Sequence, residues 1–516
     1  MINKVNPKNL FHFRRLDLIA KYLFARDILN KNNNDYLTDI HKDLYIRTII
    51  MRTMGVEPLN QYSNNIKNYV DDYINSFNEL INSIKKNDFI DKYPIPYSSI
   101  NKLLFGGSHR IAASMALNKE VYIDFINEAG ISWDFNWFSQ NGFTNYDKMR
   151  LLHGFIELNI QNSGILILWN PMFKYIGNIR KIINKYCDIV GEVDLDFENN
   201  YIAFTNIILD IYEPNIKRDS NETTILRKIE LLKFSYLSFK VIVVTNQDKN
   251  NNTDIHELVL DIKNNIRNAF DFEIPKQIFA TMHSSDGINE VKYLSNILLS
   301  PNNIEHIKLR KDYKYNLDFL QRVRNLSNFI NKIGIENLDE ICCIGSSVMT
   351  ALGIKTDSND LDFIVKSKYR EKFGYNSVQY GEYDIGVSDV MREGRKIIDD
   401  LQIYDSDYHF YFKGVKFINL DILKDRKKNS NKEKDFLHLR LIDLYEKLQG
   451  NFEQRKILFD RIEKEKEIRA GIIKGDINTS SNNIVAVFNK IINMIAWCIP
   501  IRKWRDGFRN KFKITE

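Results

Sequence analysis

The stretch ICCIGSSVMTALGIKTDSNDLDFIV, Ile341 to Val365, decides how the chain is read. A short apolar run meets Gly-Ser-Ser, a helix-like segment follows, and Asp-Leu-Asp then sits inside a second apolar run. Asp360 and Asp362 are two residues apart, so on a strand their side chains point the same way. Carboxylates crowded on one face repel, and a divalent cation between them removes that cost. Magnesium suits the position, because it is held by one or two carboxylates together with substrate phosphate oxygens. Gly345 permits close backbone approach, and Ser346 and Ser347 begin a helix whose first amides can receive an anion. A later run, VKFINLDILK, reads as a third apolar strand with a central acid, Asp421. Three carboxylates around bound metal would support an in-line displacement at phosphorus. The plainer alternative makes Asp360 a turn cap in TDSND and Asp362 a half-exposed strand residue.

This order of features, Gly-Ser, a gap of about a dozen residues, Asp-x-Asp and then a later acid, resembles the nucleotidyltransferase superfamily related to polymerase beta. The resemblance covers residues ~325–428, about a quarter of the chain. It implies that Gly345 and Ser346 contact phosphate at a helix N-terminus, with Ser347 beside them in the same first turn. It further implies that Asp360, Asp362 and Asp421 are catalytic metal ligands, with magnesium and a nucleoside triphosphate (ATP or CTP) as cofactors. The downstream KDRKKNSNKEKD is similar to the Lys- and Asp-bearing segment that follows the third acid in small members of that superfamily. A degenerate, catalytically silent domain fits the same resemblance.

A second motif is LLFGGSHRIAASMALNKEVYI. Its paired glycines let a strand turn sharply into a helix, and the free amides at Ser108, His109 and Arg110 then form an anion cradle. Arg110 adds a fork suited to phosphate oxygens, while Ala112, Ala113 and Ala116 keep the helix slim. The segment from about Tyr93 to Phe125 resembles the sulfiredoxin and chromosome-partitioning CTPase superfamily. That resemblance implies nucleotide phosphate binding by Gly107, Ser108, His109 and Arg110, and some members are small-molecule kinases. Sulfiredoxins carry cysteine where this chain has Ser108, so their thiol chemistry is not expected here. Without a ligand, the segment is a plain strand-turn-helix with His109 as a capping or core residue.

Length and composition bound the rest. At 516 residues the chain has room for three or four domains of about 100–200 residues each. Its 44% hydrophobic content supplies real cores and excludes wholesale disorder. A net charge of +6 is small for this length, so a nucleic-acid coat is not expected. The four cysteines show no CxxC spacing, which points away from a zinc site or a disulfide framework and toward a reducing cytoplasm. No secretory signal or membrane-spanning run is apparent.

Along the chain, residues 1 to about 90 read as helical, with Asp17 and Lys21 as a surface helix pair four residues apart. From Gly164 a new α/β block begins: GILILW and FKVIVVTN are strand-like, and IGNIRKIINKY and IHELVLDIKNNIRNAF are helical. A boundary is expected near Pro301. The expected fold class is α/β in the α+β multidomain sense, in four parts. Residues 1–160 hold a helical region with the sulfiredoxin-like module, and 161–304 an α/β domain of unread role. Residues 305–430 hold a nucleotidyltransferase-like mixed sheet, and 431–516 a helical tail.

Two weaker signals remain. His283 and Asp286 follow a strand-like run, where α/β sheets bind ligands, although Asp286 or Ser285 serves equally as a cap for the next helix, with Glu290 in its first turns. The C-terminal stretch 484–513 interleaves Arg502, Lys503, Arg505, Arg509, Lys511 and Lys513 with Ile501, Trp504, Phe508 and Phe512 at helical spacing. Such a helix suits an anionic membrane surface, or else packs on its own core or a partner.

The function expected from these features is a cytoplasmic magnesium-dependent nucleotidyl- or phosphotransferase with two phosphate-handling modules, peripheral at the inner membrane face. Its acceptor would be a small metabolite or sugar, and the resemblance of the basic-aromatic tail to those of bacterial surface-polysaccharide enzymes implies surface-polysaccharide assembly as the setting. The alternatives are a non-catalytic nucleotide-sensing scaffold and a nucleic-acid-modifying nucleotidyltransferase.

Overall fold

Apolar periodicity and strand alternation build an α+β chain with three small sheets in the computed structural model, and no barrel among the described residues. The structure describes residues 2–30, 39–53, 70–89, 93–198, 200–214, 222–232, 236–248, 253–270, 281–310, 315–366, 368–369, 378–380, 385–387, 403, 405–430 and 432–447. The basic-aromatic stretch 484–513 lies outside them. The chain forms two compact units: Met1–Ile344 with Asp360–Asn419, and Gly345–Asn359 with Leu420–Glu516.

The first unit opens with β1 (Ile2–Val5), α1 (Asp17–Asn30), α2 (Asp39–Thr53), α3 (Val70–Asn87), β2 (Ile95–Ser98), α4 (Ser108–Leu117) and β3 (Val121–Ile126). Central β3 runs antiparallel to β1 and parallel to β2, so β2–α4–β3 is a crossover unit. The wholly helical reading of residues 1–90 is therefore corrected at β1. Four residues of alternation are too short to announce a strand whose partner lies ~120 positions away. α3 behaves as its periodicity predicts, burying Tyr73, Phe77, Ile81 and Ile84 on one stripe. α5 (Phe135–Gln140) and α6 (Asn145–Leu158) follow, the latter started by a Thr144–Asp147 capping box.

The next block comprises β4 (Ser163–Trp169), α7 (Ile176–Tyr186), β5 (Asp188–Asp196), α8 (Tyr201–Ile211), α9 (Glu222–Leu232), β6 (Ser238–Thr245), α10 (Ile255–Phe270), β7 (Met282–Ser284), α11 (Ile288–Leu298) and α12 (Pro301–Leu309). The sheet order is β5-β6-β4-β7, with every pairing antiparallel. β4 is buried throughout because helices cover both faces. Ile165, Ile167 and Trp169 enter the larger core, and Leu166 and Leu168 a second core shared with α7 and α10. Each such side chain contributes about 1.5–3 kcal/mol on burial.

α13 (Leu317–Lys332) leads into the third sheet, formed by β8 (Ile341–Cys343), β9 (Leu361–Val365), β10 (Val378–Tyr380), β11 (Ile385–Val387), β12 (His409–Phe412) and β13 (Val415–Ile418). Its order is β10-β11-β9-β8-β13-β12, with β11–β9 and β13–β8 parallel and the other pairs antiparallel. The second unit contributes α14 (Ser346–Ala351), α15 (Leu420–Lys428) and α16 (Glu433–Lys447), with α14 and α16 each packed on α15. Among the described residues no helix is long and apolar enough to cross a membrane.

Candidate functional site

β9 carries the acid pair at its start. Leu361 and Phe363 are buried, Asp362 between them is half-buried, and Asp360, immediately before the strand, is exposed. The backbone N–H of Ile344 donates to the Asp362 carbonyl at 2.8 Å, extending the β8–β9 ladder by one step. On the other side Asp362 is in register with Gly386 of β11, which puts no side chain beside it. Burial pushes the Cys343 thiol well up, and Cys342 and the Asp362 charge add to that, so it stays a thiol and not a thiolate.

The third acid is not where alternation put it. Phe363, Cys343 and Phe417 share one register row, so the next row is Asp362, Ile344 and Ile418. The strand ends at Ile418, and Asp421 sits in the first turn of α15, its side chain 73% exposed and 3.8 Å from Lys424. The expectation of a strand acid at Asp421 is corrected: the run VKFINLDILK changes from strand to helix at its centre. Farther along, Lys427 Nζ donates to Asp435 at 2.7 Å and approaches His438 Nδ1 at 2.9 Å. This buried tie between α15 and α16 comes from the KDRKKNSNKEKD segment.

In the same unit Gly345 has φ 77°, a left-handed conformation that side chains disfavour, and α14 begins at the next residue. α14 has six residues; Ser347 is buried and Ser346 partly exposed. A helix this short carries little dipole, so any anion contact there rests on local amides.

At the second motif the strand-turn-helix forms as read. Gly107 has φ 74°, and a Cβ there would come within 3.2 Å of Ile95 Cγ2 and of Arg110 Nη2, so glycine is required. No side chain caps α4. The flanking side chains, however, bind the protein itself. His109 Nε2 and the Tyr45 hydroxyl are hydrogen-bonded at 3.0 Å, and the His109 ring meets Tyr45 and Phe77 edge-on. Arg110 donates to the Tyr93 carbonyl and lies over the Phe89 ring.

Behind this turn lies a group placed differently from its sequence expectation. Asp17 and Lys21 are fully buried, not a surface pair. Lys21 Nζ reaches Asp17 Oδ2 at 2.6 Å, and Arg15 donates to the same carboxylate at 2.8 and 3.0 Å. Arg15 also donates to the Leu104 carbonyl at 2.8 Å, bracing the chain just before Gly106. Burial alone would raise the Asp17 carboxyl, but Arg15 and Lys21 outweigh it and hold the group far below the usual range.

A further polar cluster escaped sequence reasoning because its members are scattered along the chain. His41 of α2 lies between acids, with Nδ1 2.8 Å from Asp27 and Nε2 3.1 Å from Asp407. Arg26 holds Asp405, and Arg150 holds Asp407. Burial pulls the imidazole down, yet Asp27, Asp405 and Asp407 together raise it to about 10.

His283 is buried and bonded to Glu290 at 3.1 Å, whose other oxygen accepts from the Asp286 amide at 2.7 Å. Glu290 thus closes the start of α11. Ser285 accepts from the Ile165 amide, and Asp286 pairs with Lys263. Comparisons of the chain with protein-family models, with curated proteins and with solved structures find no match.

Proposed function

We propose that the chain is a magnesium-dependent nucleotidyl- or phosphotransferase acting on a hydroxyl or phosphate of a small metabolite or sugar. The observation that carries this reading is the acid pair at the start of β9, with Asp362 half-buried beside the bare backbone of Gly386. An all-oxygen donor set of two neighbouring carboxylates fits magnesium. When bound, magnesium neutralises charge on the phosphates of ATP or CTP.

Asp360 and Asp362 hold the cation in this reading, and Asp421 is the proposed third ligand. The amides of Ser346 and Ser347, just after the turn at Gly345, receive phosphate oxygens in this reading. A second phosphate site is proposed at Gly107–Arg110, where the first-turn amides of α4 have no side-chain cap. Two phosphate-handling modules suit consecutive steps, phosphorylation followed by nucleotidyl activation. Surface-polysaccharide assembly at the inner membrane face, with 484–513 as the membrane contact, is the proposed setting.

A second reading, a nucleotide-binding scaffold without chemistry, is favoured by the helical position of Asp421 and by the engagement of His109 and Arg110 with protein groups. Thermal-shift measurements with ATP and CTP, with and without magnesium, separate the two. Asp362→Asn is expected to lose the magnesium-dependent part of the shift, and Arg110→Ala the magnesium-independent part. Turnover of nucleotide should vanish in Asp360→Asn and Asp362→Asn. If wild type and both thermal-shift variants shift identically, neither site assignment stands.

A further inference from the structure

The cluster around His41 has the layout of a metal centre. Asp27 on α1, His41 on α2 and Asp405 before β12 each offer a ligand atom, and the three atoms lie within 4.8 Å of one another. All three residues are at least nine-tenths buried. His41 Nδ1 is 2.8 Å from Asp27 Oδ2 and 3.8 Å from Asp405 Oδ2. These distances bracket the ~3.3 Å that separates two ligand atoms of a tetrahedral zinc, each ~2.0–2.1 Å from the ion.

Three independent features point to a cation and not merely to crowded acids. First, Asp27 Oδ1 is buried without a hydrogen-bond partner, an arrangement that costs about 1–3 kcal/mol or more unless something meets it. Second, the other nitrogen of His41 faces Asp407 at 3.1 Å. A histidine that ligates a metal through one nitrogen typically gives its other N–H to a carboxylate, which fixes the tautomer. Arg150 braces that carboxylate and Arg26 braces Asp405 at 2.7 Å, so both acids are oriented before any ion arrives. Third, the charges do not balance. Among the described residues Asp27, Asp405, Asp407 and Glu157 face Arg26, Arg150 and His41, so one negative charge is left over even with the imidazole protonated, and a cation at Nδ1 would take the place of that proton. A cavity of about 10 Å³ adjoins the cluster on the side of His41, Asp405 and Asp407, and Asp27 does not line it.

We propose that Asp27, His41 and Asp405 form a buried site for a divalent transition-metal ion, with Asp407 as the carboxylate behind the histidine. One imidazole and two carboxylates favour zinc or manganese over magnesium, which prefers oxygen alone. The ion ties α1 and α2 to the segment that enters the third sheet. The inference is independent of the nucleotide reading, because it shares no residue with it.

The test is calorimetric titration of the chelator-treated full chain with zinc, with manganese and with magnesium. One equivalent of zinc or manganese is expected to bind at least about tenfold tighter than magnesium and to raise the melting temperature. Asp27→Asn and Asp405→Asn should each weaken that binding by about tenfold or more, while Asp362→Asn leaves it unchanged. No stoichiometric binding by the wild type, or equal affinity in both cluster variants, overturns the proposal. The cluster is then an ion-pair network closed by a protonated His41. Should the cluster variants fail to fold, cobalt-loaded wild type decides. It must show visible d–d bands and a paramagnetically shifted imidazole N–H resonance, and absence of both overturns the site.

Discussion

Lys416 shows how far a single residue can depart from what its neighbours in sequence announce. In VKFI, alternation alone would turn one face to water, yet β13 is internal to its sheet and Lys416 is 4% exposed. Its ammonium donates to the carbonyls of Asp339 at 3.0 Å and Ile403 at 2.7 Å, with the Asp339 carboxylate 3.7 Å away. Burial lowers its pKa from 10.5 to about 8, against the pull of Asp339. Below pH 8 both folded and unfolded chains hold the proton, and the cost of burying the charge is fully present. Between about 8 and 10.5 the unfolded chain binds more protons, so stability rises with pH. The rise is on the order of 3 kcal/mol at ~1.4 kcal/mol per unit. Urea unfolding at pH 7.5 and pH 10 should show this gain in wild type and its absence in Lys416→Met. Parallel pH dependences would remove Lys416 as the cause. The acid pair stands out in the sequence for the opposite reason: Asp360 and Asp362 interrupt an apolar run at the strand period. His41 and Asp27 gave no such signal, because their meaning arises only when α1, α2, α6 and the segment before β12 meet.

Elements whose periodicity is local were readable, and those whose logic is distant were not. The helix expected over IHELVLDIKNNIRNAF coincides with α10, because Ile255, Leu258, Val259, Ile262, Ile266 and Phe270 form its buried stripe. β5, DIVGEVDLD, gives no clear strand signal: its acids face outward, and a register shift between Ile189 and Gly191 breaks the two-residue period. α1 misleads in another way. It is buried nearly all round, so an Asp–Lys pair spaced like a surface bridge instead lies inside with Arg15. The contact of α10 with β4 depends on a missing side chain. A Cβ on Gly164 would lie 2.5 Å from Val259 Cγ2 and 3.1 Å from Val244 Cγ2. Gly164→Ala should therefore push α10 off the sheet and cost about 1–3 kcal/mol, read from the urea midpoint. Val259→Ala in the same chain should recover part of the loss, since it clears the nearest clash. A single variant as stable as wild type would mean that α10 has freedom to retreat.

At the scale of the first unit, the expected boundary near Pro301 is instead a helix start set inside shared packing. Ser300 caps α12 by accepting from the Asn303 amide at 3.2 Å, and its hydroxyl donates to Ser406 at 3.2 Å. Asn303 accepts the Tyr411 amide at 2.7 Å, and Asn302 donates to the His409 carbonyl at 2.6 Å. One hydrophobic core accordingly runs from Leu10 through the four-stranded sheet to Tyr411. Arg310, just after α12, fixes this junction. Its fully buried guanidinium pairs with Asp210 of α8 at 2.7 Å, donates to the Tyr411 carbonyl and lies over the Phe412 ring. Arg310→Met would keep most of the volume but leave Asp210 charged and buried, with only Lys413, 3.8 Å away, in partial compensation. Breaking such a pair costs about 3–5 kcal/mol, largely from the stranded charge. Asp210→Asn in the same chain removes that charge and should return much of the loss, so the double variant is expected to be more stable than Arg310→Met alone. Urea unfolding followed by tryptophan fluorescence and by far-UV dichroism gives both numbers, and the two probes should report one shared transition for the first unit, residues 1–344 with 360–419. Separate transitions for the four-stranded and six-stranded sheets, or a loss in Arg310→Met below 1 kcal/mol, would mean that the shared core does not couple them and that Arg310 only fills space between them.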